Sequence, residues 1–290
     1  MKSSMTTNGT PTGAVAPDVI ERCLMILRCH PAGLITDIDG TISAIAPTPG
    51  AAFVSEPVKR TLARLAHRLD LVAAVSGRSA ANAATMVGVD ALVYVGNHGM
   101  ERLEAGQLRV HPVAAVATTA VRAALTEIAA GFPDAAAPWL IIENKGVTGT
   151  VHYRLAPEPD AARSALLPWV ETVAGRHGLI VTEGRMIIEV RPNVVVNKGT
   201  AIAELVAERG LRGVVFLGDD VTDVDGFVAL RQLRETSAVS TARVGVVGAE
   251  TSPLVLAEID VAIAGVDGCS ALLGAIADRL DHSSILSDYA

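Results

Sequence analysis

Short uninterrupted apolar runs alternate along this chain with stretches whose apolar positions fall at helical intervals. Residues 34–36 lead straight to Asp37, and residues 71–75 lead to Ser76-Gly77-Arg78. A third run, 91–95, stops at Gly96-Asn97-His98-Gly99. After Pro192 the rhythm returns. Lys198-Gly199 opens a helix over 200–209, and a strand over 214–217 ends at Gly218-Asp219-Asp220. A further strand over 243–247 and a helix near 271–280 complete the series. Runs of this kind predict buried strands of a parallel sheet covered by helices on both faces.

The segment between the third run and Pro192 reads differently, as paired strands. Residues 141–143 and 147–155 flank Asn144-Lys145-Gly146, and residues 179–182 and 186–190 flank Glu183-Gly184-Arg185. Both are hairpin signals. A helix over 159–177 separates the hairpins, and an Ala-rich helix over 113–130 precedes the first. The sequence therefore predicts an α/β core over 19–103 and 192–290, interrupted at 104–191 by an α+β domain of αββαββ order. Residues 1–18 are small, polar and broken by Gly and Pro, and are expected to form a flexible tail without the apolar stretch of a signal peptide.

Composition narrows the partners. Of 290 residues half are hydrophobic but only 3% aromatic, so the core must be built from Ala, Val, Leu and Ile. That scarcity argues against a base-stacking platform. The net charge of −7, with no Lys/Arg cluster, lacks the basic footprint of a nucleic-acid binder. An anionic substrate would need local positive charge, from a metal ion and a few placed Lys and Arg residues. The Ala-rich stretch, interrupted by Arg122 and Glu127, reads as an amphipathic surface helix, and no membrane association is expected. Three scattered cysteines, Cys23, Cys29 and Cys269, suit reduced thiols in a cytoplasm. A monomer is expected.

The chemistry gathers where ligands bind an open parallel sheet, outside the carboxyl ends of its strands. Four polar motifs fall near such ends or open the adjoining helix. They are Asp37-Ile38-Asp39-Gly40-Thr41, Ser76-Gly77-Arg78, Asn197-Lys198-Gly199 and Gly218-Asp219-Asp220-Val221-Thr222-Asp223. Asp37 and Asp39, two apart in extended chain, project to one side. With Asp219 and Asp220 added, the crowd of carboxylates requires a cation, and an all-oxygen set that leaves room for phosphate suits Mg²⁺. One carboxylate can attack phosphorus, and the other can serve as general acid and then base. Gly40 would permit a sharp turn, Thr41 would lend a hydroxyl or N–H to the phosphate, and Ser76 a further hydroxyl. Lys198 adds its charge to a helix N-terminus at the anion.

These motifs, in this order, resemble those of the haloacid-dehalogenase (HAD) phosphatase superfamily, and the inserted unit lies where that superfamily carries its C2-type caps. The resemblance implies a Rossmann-like parallel-sheet core. It also implies Asp37 as nucleophile and Asp39 as acid/base. Mg²⁺ would be held by Asp37, the Asp39 main-chain carbonyl and Asp219, beside Asp220, with Ser76 and Lys198 on the phosphate. Finer motifs resemble the trehalose-6-phosphate phosphatase family. They are Gly96-Asn97-His98-Gly99, Glu143-Asn144-Lys145, Val151-His152-Tyr153-Arg154, Glu189-Val190-Arg191-Pro192 and the last acidic motif ending in Phe227. That likeness implies Mg²⁺-dependent hydrolysis of trehalose 6-phosphate through an aspartyl-phosphate. It implies sugar contacts from Asn97, His98, Glu143, Lys145, His152, Arg154, Glu189 and Arg191, with Gly77 and Arg78 also at the substrate.

Strand alternation supports part of this separately. It predicts Val151, Tyr153 and Leu155 on one face, His152 and Arg154 on the other, and Glu189 beside Arg191. An acid-and-base face suits a ligand rich in hydroxyls. Two departures from the family pattern stand out: Asn197 where Asp is usual, and Val224 where Glu is usual. Sucrose phosphate, a glycosyl-glycerate phosphate and an aminocyclitol phosphate remain alternative substrates, and a phosphomutase or a non-catalytic sugar-phosphate sensor are alternative classes.

Overall fold

The structure is a computed structural model that describes residues 15–132 and 137–287. Most of the expected flexible tail, residues 1–14, lies outside these, whereas Pro17 and Asp18 form the first turn of a helix. In chain order the elements begin with α1 (Pro17–Leu27), β1 (Ala32–Thr36), α2 (Glu56–Ala66), β2 (Leu71–Val75), α3 (Ala80–Val87) and β3 (Val93–Gly96). Next come β4 (Glu101–Glu104), β5 (Gln107–Val110), α4 (Pro112–Gly131), β6 (Ile141–Asn144), β7 (Gly149–His152) and α5 (Pro159–Arg176). Then follow β8 (Leu179–Gly184), β9 (Ile187–Pro192), α6 (Lys198–Arg209), β10 (Gly213–Gly218) and α7 (Val224–Thr236). The last are β11 (Ser240–Val247), α8 (Pro253–Glu258), β12 (Val261–Ala264) and α9 (Gly265–Ser287).

The chain divides into two compact units. The first comprises the described residues up to Ala44, Phe53–Ala73 and those from Ile202 onward; the second comprises Ile45–Ala52 and Ala74–Ala201. The division falls inside β2 and inside α6.

In the first unit the strands run β12-β11-β10-β1, each pair parallel, with Leu34 opposite Val215 and Val215 opposite Ala242. Every residue of β1 and β10 is buried, as a sheet covered on both faces demands. Alternation along β10 shows the two layers. A side chain at Gly213 would strike the Ile26 carbonyl of α1, while Phe216 points to the opposite face, against Phe227 of α7 at a ring separation of 5.1 Å. Arg243 of β11 and Asp260, both over nine-tenths buried, form a two-point ion pair that Arg234 and Glu258 extend.

In the second unit β3, β4 and β5 form an antiparallel meander. The β4–β5 hairpin escapes the sequence reading, because its outer strand is largely exposed and its turn, Ala105-Gly106, is a weak signal. A separate antiparallel sheet has the order β6-β7-β9-β8. Helices α4 and α5 cover one of its faces: Val121, Leu125, Ile128, Leu166 and Val170 pack on Val151, Ile188 and Val190. Among the described residues, α4 is the helix long and apolar enough to cross a membrane by length and composition, which the sequence reading discounted. Its Val121, Ala124, Leu125 and Ile128 are core residues of this layer.

Candidate active site

Strand β1 delivers Asp37, whose N–H donates to Leu217 O of β10 at 2.8 Å. The chain then folds back tightly. The N–H groups of Ile42 and Ser43 both donate to Ile38 O, Gly40 N–H donates to Ser43 O, and Asp39 bridges Ser43. Gly40 has φ of 93°, and any side chain there would overlap the Asp219 carboxylate, so the turn needs glycine twice over. Strand β10 ends on the same side and supplies Asp219. Thr41, expected to lend its hydroxyl or N–H to phosphate, is fully buried, and its hydroxyl donates to Asp219 Oδ1 at 2.9 Å and so orients that acid.

The acids that come together are Asp37, Asp219 and Asp223, with one oxygen from each lying within 4.8 Å of the others. Asp37 is 4% exposed and Asp223 fully buried. Three carboxylates this close in a dry site repel strongly. An oxygen-only set of this kind could hold a hard divalent cation. Asp220 does not belong to this group. Its side chain accepts the Asp223 N–H as a helix cap, while Asp223 Oδ2 accepts the N–H groups of Asp219 and Asp220 at 3.0 and 3.1 Å. The acids that could share a cation thus include Asp223, which the sequence analysis did not name as a ligand, and not Asp220, which it did. The signal was available: two acids four apart across a strand-to-helix turn.

In the second unit the other motifs gather. Ser76 closes β2, its N–H donating to Val95 O at 2.9 Å and its hydroxyl accepting the Arg78 N–H at 3.2 Å. The Arg78 guanidinium reaches Asn82 Oδ1. Lys198 is 2% exposed at the first turn of α6. Asn197 caps that helix reciprocally: its Oδ1 accepts the Thr200 N–H at 2.9 Å, and its own N–H donates to Thr200 Oγ1 at 3.1 Å. Asn can accept in this role as Asp would, so the first departure from the family pattern keeps the cap. Val224, the second, begins α7.

The sheet face away from α4 and α5 is polar. Glu143 opposes Thr150, which opposes Glu189, which opposes Thr182. His152 joins Glu143 at 2.9 Å, and this bond, the largest influence on Glu143, holds its carboxyl below the usual range. Glu189 is nearly buried; Lys145 Nζ and His98 Nε2 each lie 3.7 Å from it. The Glu189 Oε1, Thr150 Oγ1 and Arg191 Nε atoms are buried without a hydrogen-bond partner. The Arg191 fork donates instead to Val196 O at 2.7 Å. Strand β7 ends at His152, short of the expected 155, so Arg154 leaves the row and donates to Arg185 O at 3.1 Å. Tyr153 is buried as expected, but Leu155 is 47% exposed.

His98, with φ of 57°, faces Glu189 and has its ring against Gly77. Burial pushes its pKa down most; Glu189 pulls back, and the charges of Lys198, Lys145 and Arg191 lower it further, to about 4. It is therefore neutral at pH 7, in a field of three cations. Asn97, expected at the substrate, has its side chain engaged within the protein. It is fully buried, its Oδ1 accepting the Thr148 hydroxyl at 2.7 Å and its Nδ2 donating to Lys145 O at 3.3 Å.

Comparison with known proteins gives a consistent result. The sequence model of the family described as Trehalose-phosphatase matches residues 35–253. A trehalose-phosphate phosphatase of Mycobacterium tuberculosis (strain H37Rv) is 33% identical over 197 residues, 66% of this chain and 49% of its own. One of Mycobacterium avium (strain 104) is 35% identical over 210 residues, 70% and 52% of the two chains. The chain thus spans about half the length of the curated relatives it matches. The C-terminal domain of a Candida albicans trehalose-6-phosphate phosphatase superposes with a TM-score of 0.72 at 22% identity, over 94% of this chain and 99% of that one. That likeness establishes the fold.

Proposed function

Since this chain belongs to the trehalose-phosphatase family, we propose that it hydrolyses trehalose 6-phosphate to trehalose and inorganic phosphate. The observation that carries the reading is the trio Asp37, Asp219 and Asp223 at the ends of β1 and β10, within the span that matches the family. The trio and the Asp39 main-chain carbonyl would hold Mg²⁺, which when bound offsets the charge of the acids and of the phosphate.

Asp37 is the nucleophile. A carboxylate oxygen attacks phosphorus, the bond from phosphorus to the sugar oxygen breaks, and Asp39 gives that oxygen a proton. Water then attacks the aspartyl-phosphate, Asp39 takes up its proton, and Asp37 is released with inorganic phosphate. Ser76 and Lys198 bind the phosphoryl oxygens. The domain read at 104–191 acts as the cap, and Glu143, Lys145, His152, Glu189 and Arg191 hold the sugar, with His98 as a neutral partner to its hydroxyls. The absence of a hydrogen bond at the buried Glu189 Oε1, Thr150 Oγ1 and Arg191 Nε supports a polar ligand on this face, because buried polar atoms otherwise find such partners. All three cysteines are free, which supports a cytoplasmic setting.

The test is phosphate release, with and without Mg²⁺, across trehalose 6-phosphate, sucrose phosphate, a glycosyl-glycerate phosphate and an aminocyclitol phosphate. Trehalose 6-phosphate should rank first and require the metal. Another ester ranking well above it would overturn the substrate assignment.

A further inference from the structure

Lys145 opens the four-residue turn between β6 and β7, an unpromising place for a precisely held ammonium group. It is nevertheless only 9% exposed, its Nζ donating to Gly77 O at 2.9 Å and lying 3.7 Å from Glu189 Oε1. Its main chain is fixed from both sides of the turn. Lys145 N–H donates to Thr148 O at 2.9 Å, and Lys145 O accepts from the Asn97 amide. The Thr148 hydroxyl closes the circuit by donating to Asn97 Oδ1. Asn97 in turn is tied to the Ser76-Gly77-Arg78 loop, its N–H donating to Arg78 O at 2.7 Å. It also bonds the Glu101 carboxylate, which caps α3 by accepting the Ala80 N–H at 2.9 Å.

Asn97 and Thr148 are both fully buried, so neither presents its side chain to solvent. Asn97 holds φ of 48° and His98 follows at 57°, consecutive left-handed residues that only surrounding bonds maintain. A side-chain amide can satisfy a donor and an acceptor at once, which is what this junction of loop and turn requires.

We propose that Asn97 and Thr148 are positioning residues that set the place of Lys145, and through it the affinity for the sugar. The inference rests on the sugar-binding role assigned to Lys145 above. Losing the Thr148 hydroxyl leaves Asn97 Oδ1 buried without its donor, a cost borne by the turn.

The test is a double-mutant cycle on the full chain with trehalose 6-phosphate as probe. Thr148→Val should raise KM about tenfold with kcat little changed, and Thr148→Ser should restore it. Lys145→Ala should raise KM at least as far, and Thr148→Val added to it should have no further effect. Multiplicative KM effects in the double variant, or an unchanged KM in Thr148→Val, would overturn the proposal while leaving the phosphatase reading intact. A normal KM in Lys145→Ala would overturn both the proposal and the sugar role of Lys145. Amide hydrogen exchange supplies a readout independent of turnover. Thr148→Val should speed exchange at Lys145 while leaving the middle of α4 unchanged, and equal slowing or equal acceleration at both sites would also count against the proposal.

Discussion

Asp39 and Asp223 illustrate how a single carboxylate takes its role from the backbone that holds it. Asp39 stands past the end of β1 on the fold-back turn, outside the trio of acids that could share a cation, and the proposed mechanism gives its carboxylate the proton transfers. Asp39→Asn should lower kcat by about 10²–10⁴-fold, the usual value of one general acid/base, as steady-state phosphate release would measure. Asp223 and Asp220 provide a sharper contrast. Asp223→Asn should raise the Mg²⁺ concentration needed for half-maximal rate several-fold more than Asp220→Asn, because Asp220 serves as a helix cap. The reverse order would return the ligand role to Asp220. His98 makes a third residue-scale prediction. Its folded pKa of about 4 lies below the ordinary 6.5, so the unfolded chain binds the extra proton between those values. The stability from keeping His98 neutral is full above pH 6.5 and declines as pH falls towards 4. His98→Gln should flatten the stability profile in that interval, as urea titrations at several pH values would measure.

At the scale of elements, strands were legible where burial on both faces made their apolar runs continuous. The run at 71–75 is β2 to the residue, and 214–217 lies inside β10. The strands that escaped or came out short were those with weaker demands on their side chains. Strand β5 is exposed, and β7 ends where the chain turns at Tyr153 even though alternation continues through Leu155. Motif positions were legible because polar residues directly after a buried strand interrupt the apolar pattern. Burial of a polar side chain leaves no such mark, so the enclosed bonds of Asn97 and Thr41 had no signal in the sequence. The ion pair joining β11 to the loop before β12 is equally invisible in sequence, its partners being seventeen residues apart. Burial alone would raise the Asp260 pKa; the bonds from Arg243 and Arg234 outweigh it and hold it at about 2. Asp260→Ala leaves the buried Arg243 with Glu258 as its remaining carboxylate and should cost about 3 kcal/mol in urea denaturation at pH 7, the lower end of what breaking a buried pair costs.

For the molecule as a whole, the α/β class and the order of the four motifs followed from the sequence, and the structure agrees on the parallel strands that carry Asp37 and Asp219. The net charge of −7 makes the acidic trio a local problem within a generally anionic protein. A cation that binds the folded state and not the unfolded one must then stabilise the fold. At a hundredfold excess over its Kd, Mg²⁺ should add about 2.7 kcal/mol and raise Tm. In Asp219→Asn that gain should largely vanish, and an equal gain in both proteins would locate the stabilising cation elsewhere.

In the proposed mechanism Asp37 carries the phosphoryl group between substrate and water. Rapid acid quench of the enzyme during turnover of trehalose 6-phosphate, followed by mass spectrometry of the peptide containing Asp37, tests it most directly. Phosphate is expected on Asp37 in the presence of Mg²⁺, and none with chelator or in Asp37→Asn. Full turnover with that peptide never phosphorylated, or with the label on another residue, would contradict it.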